Sequence, residues 1–203
     1  MPLERTVYVL DDDEAICRSL ERLLSSANFE PITFERSEEF LTAARTFKKG
    51  CVLLDMRLPN ANGLQIQAYL HEIRNDLPVI LMTAQADVEM AVRAMKAGAI
   101  DFLEKPYSDH ALLGSIETAL AYESPADRGE EIADAARRVA ALSPRERQVL
   151  DELIDGHPNK VIAYHLGISV RTAEVHRARM MGRLGTRQLA EVLRLGIMAR
   201  LDA

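Results

Sequence analysis

The 203 residues carry 25 Lys and Arg against 31 Asp and Glu, a net charge of −6, with few aromatics and no tryptophan. Two cysteines, Cys17 and Cys51, both flanked by apolar residues, are too few for a disulfide framework and suit a reducing compartment. No apolar run approaches the length needed to span a bilayer, and acidic residues from Asp11 onward exclude a signal peptide, so a cytoplasmic protein with no membrane contact is expected.

Charge is uneven along the chain. Residues 1–142 hold 15 basic against 24 acidic side chains, net −9, whereas residues 143–203 hold 10 against 7, net +3. Two domains are implied, with any polyanion binding in the second.

Thr6 to Leu10 reads as a first strand, ending in Asp11, Asp12, Asp13 and Glu14. A helix over Ala15 to Ala27 follows, with Ile16, Leu20, Leu23 and Leu24 on one stripe. A second strand fits Pro31 to Phe34, and Ser37 suits the N-cap of a helix reaching about Thr46. Cys51 to Asp55 is a continuous apolar run ending in one carboxylate, the pattern of a buried parallel strand. A helix from about Asn62 to Arg74 follows, then a strand over Pro78 to Met82 ending at Thr83. The fourth helix spans about Asp87 to Ala97 and closes at Gly98. Ile100 to Leu103 forms a fifth strand ending at Glu104-Lys105-Pro106, and a fifth helix runs from about Ser108 to Tyr122.

Five strand–helix repeats predict an α/β doubly wound, five-stranded parallel sheet of the flavodoxin-like kind over residues 1–122. Residues 123–141, with Ser124, Pro125 and Gly129, read as a linker with a helical second half. Ser143-Pro144-Arg145-Glu146 then opens a small all-α domain of four helices over residues 142–203, with breaks at Gly156-His157-Pro158, Gly167 and Gly185.

The strand ends share a plan. The first supplies Asp11 and Asp12, the third Asp55, the fourth Thr83 and the fifth Lys105. In parallel sheets this carboxyl-end edge is where ligands sit. Clustered carboxylates need a cation, and an all-oxygen set suits Mg²⁺. A lysine and a hydroxyl beside that ion can hold a phosphoryl group, so the predicted chemistry is phosphoryl transfer onto Asp55.

The runs Leu10-Asp11-Asp12-Asp13-Glu14, Asp55-Met56-Arg57-Leu58-Pro59 with Gly63, Met82-Thr83-Ala84 and Phe102-Leu103-Glu104-Lys105-Pro106 resemble the receiver domain of two-component response regulators. The resemblance implies that Asp55 is the phosphoacceptor, fed by a sensor histidine kinase. It places Mg²⁺ on Asp11, Asp12, Asp55 and the backbone carbonyl of Arg57. The choice of Asp11 and Asp12 over Asp13 rests on the family register. Thr83 and Lys105 are the phosphoryl contacts, Phe102 is the switch aromatic, and Lys105-Pro106 is expected to be cis. Thr83 moving toward the phosphoryl group would free space for Phe102, biasing the face of the fourth helix and fifth strand, which is the predicted dimerisation surface.

In the tail, Asn159 to Ser169 has the form of a helix-turn-helix: a short helix stops at Gly167 and Ser169 caps the next, which carries Arg171, His176, Arg177, Arg179 and Arg183. The stretch from Leu142 to Arg177 looks like a LuxR-type DNA-binding domain, and with the receiver it resembles the FixJ branch of the NarL/FixJ response regulators. That implies a third helix in the major groove of double-stranded DNA and a last helix, about Arg187 to Arg200, that helps dimerise. Glu174, Val175 and Ala178 match base-facing positions, and Lys160, Arg171, Thr172, Arg177 and Arg179 are phosphate-contact candidates. RNA polymerase is a further implied partner, and a homodimer is expected on phosphorylation. Ala173 stands where the family often carries a larger aliphatic residue. His157, His165 and His176 show no metal-ligand spacing and read as surface or packing residues.

An enzyme is the competing class, because haloacid-dehalogenase-like phosphatases also use an aspartate nucleophile with Mg²⁺. Those need a second acid two residues after the nucleophile, and Arg57 stands there. A regulator working without phosphorylation is the other alternative. The expectation is a transcription regulator that is not an enzyme.

Overall fold

A computed structural model describes residues 5–59, 61–74, 76–84, 87–122 and 129–201. By internal contacts the chain forms two compact units, Met1–Gln85 with Ala97–Ser124, and Ala86–Lys96 with Pro125–Ala203.

The first unit holds β1 (Thr6–Leu10), α1 (Glu14–Ser26), β2 (Glu30–Phe34), α2 (Ser37–Ala44), β3 (Gly50–Asp55), a small antiparallel pair β4 (Arg57–Leu58) and β5 (Ala61–Asn62), α3 (Gly63–Ile73), β6 (Val79–Thr83), β7 (Asp101–Glu104) and α5 (Asp109–Leu120). Its main sheet is parallel throughout, in the order β2-β1-β3-β6-β7. The strands expected from apolar runs are the central ones: β1, β3 and β6 are buried along their whole length, while β2 at one edge alternates exposed and half-buried residues. A parallel sheet covered on both faces produces that contrast.

Local chemistry sets the helix starts. The Asp13 carboxylate accepts from the amides of Ala15 (2.8 Å) and Ile16 (3.3 Å), and Ser108 and Asn62 cap α5 and α3 in the same way. The expected cap at Ser37 is corrected: Ser37 is the first residue inside α2, Arg36 stands at the cap position, and no side chain caps the helix. Glu38 and Glu39 in the first turn favour its positive end instead, and α2 ends at Ala44 rather than Thr46. The β4–β5 pair, in the loop that follows Asp55, was not foreseen from sequence.

The second unit holds α4 (Val88–Lys96), α6 (Gly129–Ala140), α7 (Pro144–Ile154), α8 (Asn159–Leu166), α9 (Val170–Leu184) and α10 (Leu189–Leu201). The face predicted for dimerisation is thereby divided, α4 sorting with this unit and β7 with the first. Residues 123–128 of the expected linker lie outside the described residues. Its helical second half is α6, which buries Ala135 and Val139 and packs on α10.

A complete capping box opens α7. The Ser143 amide donates to the Glu146 carboxylate (2.9 Å), and the Glu146 amide donates to the Ser143 hydroxyl (3.4 Å). Gly167 ends α8 in the left-handed conformation (φ 65°), and Ser169 caps α9 by accepting from the Thr172 amide (3.1 Å). The close crossing of α10 on α7 occurs at Gly196, where a β-carbon would lie 2.6 Å from Ile154 Cδ1. No helix among the described residues is long and apolar enough to cross a membrane.

Candidate functional site

Asp11, Asp55, Thr83 and Lys105 stand at the carboxyl ends of β1, β3, β6 and β7, and the fold brings them to one edge. The Lys105 ammonium donates to Asp55 Oδ2 at 2.5 Å and to Asp11 Oδ2 at 2.6 Å. Asp55 Oδ1 accepts from the Arg57 amide (2.8 Å), which fixes the rotation of the carboxylate. Asp11 Oδ1 accepts from the Asp13 amide (3.0 Å). Carboxylate oxygens of Asp11, Asp12 and Asp55 all lie within 4.8 Å of one another. Asp13 is committed to capping α1, which accounts for its place outside that trio.

Burial defines the electrostatics. Asp11 is 1% exposed and Asp55 9%, whereas Asp12 is exposed. Desolvation pushes the Asp11 carboxyl above its ordinary range, against the lowering effect of its bonds to Lys105 and the Asp13 amide. Burial pulls Lys105 the other way, but its bonds to Asp11 and Asp55 outweigh that and hold the ammonium charged beyond its usual value. Three carboxylates against one ammonium leave two negative charges in excess, which a hard divalent cation would offset. The donor set therefore fits Mg²⁺.

Thr83 is 1% exposed, and its carbonyl accepts from the Lys105 amide (2.7 Å). Ala84 beside it is exposed, leaving this rim open, and Phe102 on β7 is half-buried. Lys105-Pro106 is cis, as expected. A cleft of about 270 Å³ lined in part by Asp12, Glu35, Arg36 and Pro59 opens beside the carboxylates. Gly63 is a site residue whose reason lay hidden: its β-carbon would fall 2.7 Å from the Asp55 carbonyl oxygen and 2.8 Å from Met56 Cα. The start of α3 thus passes directly against the backbone that presents Asp55. Both cysteines are inert, burial pushing the Cys17 thiol up to about 11 and that of Cys51 to about 12.

On the second unit, Lys160, Arg171, Glu174, Val175, Ala178 and Arg179 are exposed, and Thr172 is half-buried beside the Ser169 cap. Arg177 differs from them. Ala173, Arg177, Met180 and Leu184 share the inner stripe of α9, and the Arg177 guanidinium donates to Asn159 Oδ1 (3.1 Å) at the start of α8. Ala173 is buried, so its small side chain lets α9 sit close. The expectation that the tail histidines stay apart is overturned for two of them. The turn after α7 brings His157 and His165 together on Glu152, whose carboxylate meets both rings.

Residues 7–117 match the family described as the response regulator receiver domain, and residues 140–195 match that of the bacterial regulatory proteins of the luxR family. The chain is similar to the transcriptional regulatory protein FixJ of Bradyrhizobium diazoefficiens, at 44% identity over 95% of each chain. It is similar at 40% identity to FixJ of Azorhizobium caulinodans, over 98% of this chain and 95% of that one. Among solved structures it resembles full-length FixJ from B. japonicum (43% identity, 98% of each chain, TM-score 0.58). It also resembles the response regulator StyR (42% identity, 94% of this chain and 96% of that one, TM-score 0.55).

Proposed function

The chain belongs to the FixJ-type response regulators, transcription regulators with a receiver and a LuxR-type DNA-binding domain, and from that membership we propose that phosphorylation of Asp55 controls its DNA binding. The observation that carries this reading is the convergence of Lys105 on both Asp55 and Asp11 at the edge of the sheet. A sensor histidine kinase is the phosphodonor. The Asp55 carboxylate attacks phosphorus, a P–O bond forms, the P–N bond to the donor imidazole breaks, and that imidazole leaves with its electron pair.

Arg57 holds one Asp55 oxygen through its amide while Lys105 pairs with the other. Lys105 follows charge from the carboxylate onto the phosphoryl oxygens, and Thr83 donates its hydroxyl to them. Asp11, Asp12, Asp55 and the Arg57 carbonyl would hold Mg²⁺, which neutralises charge on nucleophile and phosphoryl group alike. Phe102 then takes up the space near Thr83, favouring a homodimer through the face of α4 and β7. The chain acts as a cytoplasmic regulator rather than an enzyme, with RNA polymerase as its downstream partner.

DNA is met by α9 in the major groove, with Glu174, Val175 and Ala178 toward base edges. Lys160, Arg171, Thr172 and Arg179 face phosphates. A binding assay with and without acetyl phosphate, wild type beside Asp55→Asn, tests the coupling. Tighter DNA binding in the phosphorylated wild type alone is expected, and equal binding in both proteins would contradict it.

A further inference from the structure

We propose that Glu152, His157 and His165 form a binding site for a divalent ion of the zinc class on the second unit, separate from the Mg²⁺ pocket. Glu152 lies on α7, His157 in the turn that follows, and His165 in the last turn of α8. Glu152 Oε2 is 2.7 Å from His157 Nδ1 and 2.8 Å from His165 Nδ1, and the three candidate ligand atoms lie within 4.8 Å of one another. The two imidazoles meet edge to face, with centroids 4.9 Å apart and planes at 87°. That crossing lets both Nδ1 atoms aim at one point without the rings stacking.

The chemistry of the set selects the ion. Two imidazoles and one carboxylate suit Zn²⁺ and its neighbours, whereas Mg²⁺ prefers oxygen alone. Three protein ligands leave a fourth position for water. The side chains here are 22%, 36% and 40% exposed, so solvent reaches that position.

Bonds of about 2.0–2.1 Å in a tetrahedron put neighbouring ligand atoms roughly 3.3 Å apart. The two oxygen–nitrogen separations need only about half an ångström of opening, which partly exposed side chains provide by small rotations. Each neutral ring frees its Nδ1 lone pair by carrying its proton on Nε2. The ion then replaces the two N–H contacts that the carboxylate now accepts.

Such an ion would tie the end of α7, the turn at Gly156-His157-Pro158 and the end of α8 together. Gly167 and Ser169, which set the entry of α9, come two and four residues after His165. The site thus clamps the scaffold that aims the recognition helix. It does not depend on the phosphorylation reading.

The test is Zn²⁺ titration by calorimetry of the tag-free full chain, held in excess Mg²⁺ so that the acidic pocket is occupied. One Zn²⁺ per chain is expected, weakened at least about 10-fold in His157→Ala and in His165→Ala. Asp12→Asn should bind as the wild type does. Absence of binding in the wild type, wild-type affinity in both histidine variants, or loss in Asp12→Asn would overturn the site, leaving a carboxylate that merely accepts from two imidazoles. Should circular dichroism show either histidine variant unfolded, Co²⁺ in the wild type decides. Intense tetrahedral absorption bands support the site, and the weak spectrum of hydrated Co²⁺ rejects it.

Discussion

The Lys105 ammonium, on the loop after β7, reaches past the end of β6 to hold Asp55 at the end of β3 by a 2.5 Å ion pair. The same ammonium reaches Asp11, so it stands in for part of the positive charge the pocket needs. Lys105→Ala should slow acetyl phosphate labelling of Asp55 by about 100-fold, the typical loss for one charge-stabilising donor. It should not weaken Mg²⁺ binding, because removing a nearby cation relieves repulsion of the ion. Quench-flow or timed mass spectrometry reads the first effect and calorimetry the second. Weaker Mg²⁺ binding would show that Lys105 organises the carboxylates rather than competing for their charge.

Gly63 has no room for a side chain. Its β-carbon would press on the Asp55 carbonyl and Met56 Cα, both backbone atoms that cannot rotate away. Gly63→Ala should therefore cost about 1–3 kcal/mol of stability and slow phosphorylation, by pushing α3 or the Asp55 loop aside. Denaturant unfolding and labelling rate measured on one variant check both, and wild-type values in both would refute the close approach.

Glu146 carries a pH dependence whose sign is set by its partners. Burial raises its carboxyl, but the bonds from the Ser143 amide and hydroxyl and the charge of Arg183 outweigh that, holding it below the ordinary 4.5. A depressed carboxyl contributes stability that is fully present above pH 4.5 and lost as pH falls through the lower folded-state value. Glu146→Gln should be less stable than wild type by about 1–2 kcal/mol at neutral pH. The gap should close below pH 4.5, which urea melts across that range would show.

Two cations of the DNA-binding unit should behave differently. Lys160 is exposed on the first turn of α8, so Lys160→Ala should weaken binding to all sequences and lower the salt slope by about 1. Arg177 spends its guanidinium on Asn159 within the unit, so Arg177→Ala should lower thermal stability while leaving the salt slope near wild type. A reduced slope for Arg177→Ala would restore it to the phosphate contacts.

Much of the fold was legible because its signals are local. Buried apolar runs marked β1, β3 and β6, and the strand-end rule gathered Asp11, Asp55, Thr83 and Lys105 from the sequence alone. Ser143 and Glu146 announced their capping box by spacing alone. What escaped depends on distant geometry. The clash reserved at Gly63 needs the path of the Asp55 backbone, and the meeting of His157 with His165 needs the turn that folds α8 onto α7. Arg177 was assigned by charge, although its place four residues after Ala173 and three before Met180 already put it on the inner stripe.

The most direct test of the central claim is intact mass and oligomeric state after incubation with acetyl phosphate and Mg²⁺, wild type beside Asp55→Asn. A single phosphoryl adduct confined to the wild type, with a shift from monomer to dimer, is predicted. An adduct that persists in Asp55→Asn, or none in either protein even with a competent histidine kinase, would contradict Asp55 as the switch.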